Sequence, residues 1–151
     1  MKTDLTKAII TGGLSVGVLD FLGACVSNAS RGVTPMRIGQ SVASGLLGAR
    51  AFQGGYKTAT LGVVLHFVIA FIWATVFVLA SRRLPLLTQQ TILSGALYGL
   101  FVFWFMQLVV LPLSAISFKQ TFATRVVITG MIVHVLCVGL PIAIATRLNT
   151  K

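Results

Sequence analysis

Thr58–Ala80, TATLGVVLHFVIAFIWATVFVLA, runs for 23 residues with one ionisable side chain, His66. At ~1.5 Å per residue a helix of that length reaches about 35 Å, enough to cross a ~30 Å hydrocarbon layer. In lipid a segment must satisfy its own backbone hydrogen bonds, which leaves a helix or a closed barrel, and barrel strands alternate polar with apolar residues. This stretch does not alternate. Outward from it, three more apolar stretches repeat the pattern, at about 8–27, 90–112 and 126–146. The fold class expected is all-α: an integral membrane four-helix bundle, residues 1–151 forming one domain.

The composition agrees. Residues of the AVILMFWYC set make up 56% and charged residues 9%, and the mean hydropathy is +0.97; soluble domains carry about a quarter charged residues. The net charge of +10 comes from twelve Lys and Arg scattered over termini and connections, with only Arg82 and Arg83 adjacent. A nucleic-acid surface needs a concentrated basic face. Anchoring at anionic headgroups accounts for flanking charges, so the bilayer is the expected partner and nucleic acid is not.

Lys2, Lys7, Arg82, Arg83, Arg147 and Lys151 fall on one side, and Arg31, Arg37, Arg50, Lys57, Lys119 and Arg125 on the other. This tie gives no orientation. An even number of crossings puts both termini together, by convention in the cytoplasm, with antiparallel dual topology as the alternative. The first stretch also has features of a secretory signal, and Leu22-Gly23-Ala24-Cys25 of a lipobox, but Asp20 within its apolar run argues for a retained helix. Cys25 and Cys137 differ in depth by ~12 Å or more, too far for a disulfide.

Gly13-x-x-x-Gly17 in the first span matches Gly95-x-x-x-Gly99 in the third, and Gly62-x-x-x-His66 in the second matches Gly130-x-x-x-His134 in the fourth. The chain therefore reads as two duplicated helical hairpins related by a twofold along the membrane normal. The glycines at 13, 17, 62, 95, 99 and 130 are expected to let helices approach closely. The connections differ. Within 28–57, Thr34-Pro35 reads as an N-cap and first helical residue, opening a short helix at about 34–48, interfacial or re-entrant, with Ile38, Val42 and Leu46 as its apolar stripe. Pro112 is expected to end the third span and Pro141 to bend the fourth.

Three ionisable side chains lie at membrane depth: Asp20, His66 and His134. Counting along each span places all three roughly 12 Å below the side that bears the 28–57 connection. Asp20 follows Gly13 by seven residues, and each histidine follows a glycine by four, which turns all three toward glycine faces. Cys137 shares the face of His134, and Gln107 has a similar depth but is rotated by ~120°. Such groups are costly in lipid and mark functional sites by default.

Their chemistry leaves three readings open. An Asp–His layer can pass a proton or bind an ion or small solute. Polar groups can simply tie helices together in a structural or accessory subunit, alone or as a homo-oligomer. Two histidines on alternate helices also match bis-histidine haem or, with a carboxylate, a divalent metal. No cofactor or metal is assigned. Enzyme motifs are missing, and only two acidic residues are present, so no enzymatic activity is expected.

Ala43-Ser44-Gly45-Leu46-Leu47-Gly48 with Ala51-Phe52-Gln53-Gly54-Gly55, Leu65-His66-Phe67, Leu111-Pro112-Leu113-Ser114-Ala115 and Val138-Gly139-Leu140-Pro141-Ile142-Ala143 resemble stretches of a group of small four-span bacterial inner-membrane proteins of unknown function. The resemblance covers nearly the whole chain through short motifs. It implies a bacterial inner-membrane location and four spans, and it carries no functional residues.

Overall fold

The computed structural model describes residues 4–116 and 122–150; Lys2, Lys119 and Lys151 of the charge tally lie outside them. Four long apolar helices form the bundle: Leu5–Ala29, Gly55–Arg83, Thr91–Leu113 and Thr124–Leu148, called spans one to four below. The nine described Lys and Arg all sit at or beyond the span ends and are exposed. Between them the outer faces are apolar: Val64, Val68, Ile72, Val76 and Leu79 form one exposed stripe on span two, and Leu14, Val18, Leu22 and Val26 another on span one. Only 17–22% of each apolar window is buried inside the bundle. Such a surface is soluble in acyl chains and not in water, so the protein is a multi-pass membrane protein.

Local signals set the helix ends. The Asp4 carboxylate accepts from the Lys7 N–H at 3.2 Å, and Thr34 Oγ1 accepts from the Arg37 N–H at 3.3 Å, one N-cap each. With Pro35 at its first position, the short helix runs Pro35–Leu47. The two chain ends meet on one side of the bundle, where the Asp4 N–H donates to the Asn149 carbonyl at 2.8 Å.

The two hairpins share one register. Gly13 faces Phe71 and Gly17 faces Phe67 across spans one and two; a Cβ on either glycine would fall 2.4 Å from a ring carbon. Across spans three and four, Gly95 meets Gly139 and Leu140, and Gly99 meets His134 and Val135. Positions 67 and 135, 71 and 139, and 66 and 134 are each 68 apart. The duplication therefore holds in space as well as in sequence. What fills the seam differs: two phenyl rings in the first hairpin, backbone against backbone in the second, where a Cβ on Gly139 would lie 2.0 Å from the Gly95 oxygen.

Gly62 and Gly130 do not play equivalent parts. Gly62 packs on the short helix, where a Cβ would come within 1.7 Å of the Gly39 oxygen, whereas Gly130 receives the Phe103 ring. Because the short helix lies this close to span two, it buries its small face, Gly39, Gln40, Ala43 and Ser44. The apolar Ile38–Val42–Leu46 stripe lies beside that face, with Ile38 and Val42 half-buried and Leu46 exposed.

Spans three and four each contain one wide turn, at Met106–Val110 and Val135–Gly139, closed by an N–H to the carbonyl five residues back, Leu111 to Met106 and Leu140 to Val135. A proline follows directly, Pro112 or Pro141. Proline lacks the N–H for a regular turn, and its ring presses on the carbonyl four residues back; one extra residue per turn relieves both problems. Span three ends a residue after Pro112, as expected, while span four continues to Leu148.

Candidate functional site

Toward the chain-end side the bundle is solid. Ala74, Phe77, Ile142 and Ala143 are at most 1% exposed and fuse with Val16, Ala70, Val102 and Val138 into one core. Above those last four residues the helices part around a cavity of about 400 Å³, lined by Asp20, His66 and His134 together. The cavity thus extends from the middle of the bundle to Ser41 and Gly45 of the short helix and Ser114 at the end of span three. It has the volume of a small-molecule site, roughly 300–1,000 Å³.

Each of the three residues arrives there for a local reason. His66 Nε2 lies 3.1 Å from the Gly17 carbonyl oxygen of span one. A carbonyl only accepts, so Nε2 carries a proton, and in the neutral ring Nδ1 keeps a free lone pair. Without a side chain, Gly17 lets span two come this near. Edge contacts with Phe21 at 5.6 Å and Phe67 at 6.0 Å hold the ring. His134 is fixed differently: its Nδ1–H donates to the Gly130 carbonyl of its own helix at 2.9 Å, leaving Nε2 free, and Phe103 meets it edge-on at 5.3 Å. Asp20 is half-buried and makes no hydrogen bond or ion pair with any described residue.

A second cavity of about 640 Å³ shares Asp20 and His134 as walls and reaches out between spans one, three and four to Arg31 and Arg125. Gln107 belongs to this outer cavity and not to the 400 Å³ one. It stands in the wide turn of span three, six residues before the end of that helix. Cys137 packs at the seam of spans one and four, where a Cβ on Gly23 would lie 3.2 Å from its Sγ. Both Cys25 and Cys137 are free thiols.

Sequence reasoning missed the aromatic wall. Trp73 lines the cavity and takes edge contacts from Tyr98 and Phe105 of span three at 6.2 and 5.3 Å. The Tyr98 hydroxyl donates to the Trp73 carbonyl oxygen at 2.7 Å. A Trp and a Tyr with polar tips deep in apolar helices were the available signal. These bulky rings keep spans two and three apart, and that gap becomes cavity.

Among the described residues no three His, Cys, Asp or Glu side chains gather closely enough to hold a metal ion. No family model, curated protein or solved structure matches the chain.

Proposed function

We propose that this is a non-enzymatic bacterial inner-membrane protein, termini in the cytoplasm, that binds or translocates a proton, an ion or a small solute through the Asp20, His66 and His134 layer. One observation carries the reading: all three line a single cavity that stops on a close-packed core halfway through the bundle. A carboxylate in that setting is costly to keep charged and alone, and a proton or bound cation relieves the cost. The cavity reaches one side while the core closes the other, as a site with alternating access requires.

The rival reading, an accessory subunit whose polar groups only tie helices, gains support from the His66–Gly17 bond. That bond accounts for His66 and leaves Asp20 without a structural task.

The test is flux into liposomes containing the purified protein and a trapped pH-sensitive dye. Wild-type protein should dissipate an imposed pH gradient faster than protein-free liposomes, and Asp20→Asn should return the rate to that baseline while remaining monodisperse. Equal rates for the two proteins, or a wild-type rate at baseline, would overturn proton translocation through this layer.

A further inference from the structure

The hydrogen-bond inventory of the 400 Å³ cavity identifies the kind of solute it accepts. Its hydroxyls have committed their protons: Ser41 Oγ to the Ile38 carbonyl and Ser114 Oγ to the Leu111 carbonyl, both at 2.7 Å. The two amide hydrogens of Asn28 go to the Ala24 carbonyl at 2.7 Å and to Ser27 Oγ at 3.3 Å. Each histidine has spent its one N–H on a glycine carbonyl. The uncommitted groups are then the two Asp20 oxygens, His66 Nδ1 and His134 Nε2, all acceptors. Trp73 also lines the cavity, and its indole N–H makes no hydrogen bond with any described residue.

The rest of the lining is apolar and aromatic, with Phe21, Ile69, Trp73 and Met106 among it. A bare metal ion is a poor occupant, since hard cations want about six oxygen ligands and no ligand cluster is present among the described residues. An anion would meet a carboxylate and lone pairs. The guanidiniums of Arg31 and Arg125 line the neighbouring cavity, not this one.

We infer that the cavity binds a small protonated amine, its charged N–H group donating to Asp20 and its apolar body packed on Trp73 and Met106. The inference rests on the proposed function and narrows it to a chemical class: one positive charge, at least one N–H, and an apolar remainder. Attraction of a cation to a neighbouring aromatic face adds to the fit.

Trp73 and Trp104 are the only tryptophans, and Trp104 lies on span three outside both cavities. A Trp104→Phe protein in nanodiscs therefore reports from Trp73 alone, with empty nanodiscs subtracted. Phenethylammonium should change its fluorescence saturably, whereas phenethyl alcohol and phenylpropionate, of similar shape, should not. The quaternary trimethyl derivative, lacking N–H, should bind more weakly. Adding Asp20→Asn should weaken phenethylammonium roughly 10–100-fold, the loss of a charge-assisted contact.

Binding of phenylpropionate or the alcohol as tightly as the amine would overturn the inference, and so would an unchanged affinity in Asp20→Asn. The ligand comparison is made with Asp20 intact, so it decides even where that variant folds poorly. No amine binding alongside Asp20-dependent proton flux would sink the inference and leave the proposed function standing. No amine binding with no such flux would end both.

Discussion

His66 Nε2 donates to the carbonyl oxygen of Gly17 at 3.1 Å, so a cavity residue on span two is held by the backbone of span one. His134, its counterpart in the second hairpin, turns back to Gly130 on its own helix. The same register thus holds one histidine between helices and the other within a helix. The two should respond differently to substitution. His66→Ala removes an interhelical bond, worth about 0.6 kcal/mol on average and up to ~1.7 within membranes, and opens space beside Phe21 and Phe67. A lower melting temperature is expected. His134→Ala removes an intrahelical bond and one edge contact with Phe103 of span three, so it should melt closer to wild type than His66→Ala, yet on the proposed function it should lose flux. Thermal melts and liposome flux on the same preparations check both halves.

The glycines should sort by what a methyl group would meet. A Cβ on Gly62 falls 1.7 Å from the Gly39 oxygen and one on Gly139 falls 2.0 Å from the Gly95 oxygen, both main-chain atoms that cannot turn aside. Gly62→Ala and Gly139→Ala should therefore separate whole helices, costing about 1–3 kcal/mol or more. Gly12 and Gly45 leave room, with nearest atoms at 3.5 and 3.8 Å. There alanine should be neutral, or stabilising by up to ~1 kcal/mol through helix propensity. Ranked melting temperatures of the four variants decide the matter. A large loss at Gly45 comparable to that at Gly62 would contradict the seam described above.

Tyr98→Phe probes the aromatic wall. It deletes the hydroxyl that donates to the Trp73 carbonyl at 2.7 Å and leaves the ring contacts with Trp73 and Phe77 in place. The cost should be modest, about 0.6–1.7 kcal/mol, with a shift in Trp73 emission as spans two and three loosen. Tyr98→Ala should cost more, because the ring itself keeps the two spans apart.

How much of this was legible beforehand follows from which signals are local. Four spans are visible because lipid demands long uninterrupted apolar helices, and Thr34-Pro35 marks a helix start by its own chemistry. The joint approach of Asp20, His66 and His134 was readable because depth along a helix is simple counting. Other features depend on a partner. Gly62 looked like a contact between spans, yet its partner is Gly39 of the short helix, and that pairing decides which face of the short helix is buried. Which of the two cavities Gln107 faces depends on how spans one, three and four splay, which no local signal on span three records. Trp73 read as one more apolar residue until Tyr98 and Phe105 were beside it.

The wide turn at Val135–Gly139 sets how His134 is aimed relative to the core. Leu140 bonds five residues back, to Val135, and Pro141 contributes no N–H. With Pro141→Ala the new N–H can bond to the Cys137 carbonyl, and the turn can tighten to the regular α form. Removing one residue's worth of winding turns everything before the bulge by about 100° relative to everything after it. Ile142 and Ala143 are completely buried and hold the lower half in place, so the rotation falls on the upper half, where His134 lies, and re-aims Cys137 within the turn itself. The expected outcome is a protein in which the ~3 kcal/mol relief of an interior proline offsets part of the upper-half packing lost around Gly99, Phe103 and Gly23, with His134 turned from the cavity. Maleimide labelling of Cys137 in a Cys25→Ser background should change in rate, and liposome flux should fall. Unchanged labelling together with unchanged flux would show that the wide turn does not set the direction of His134.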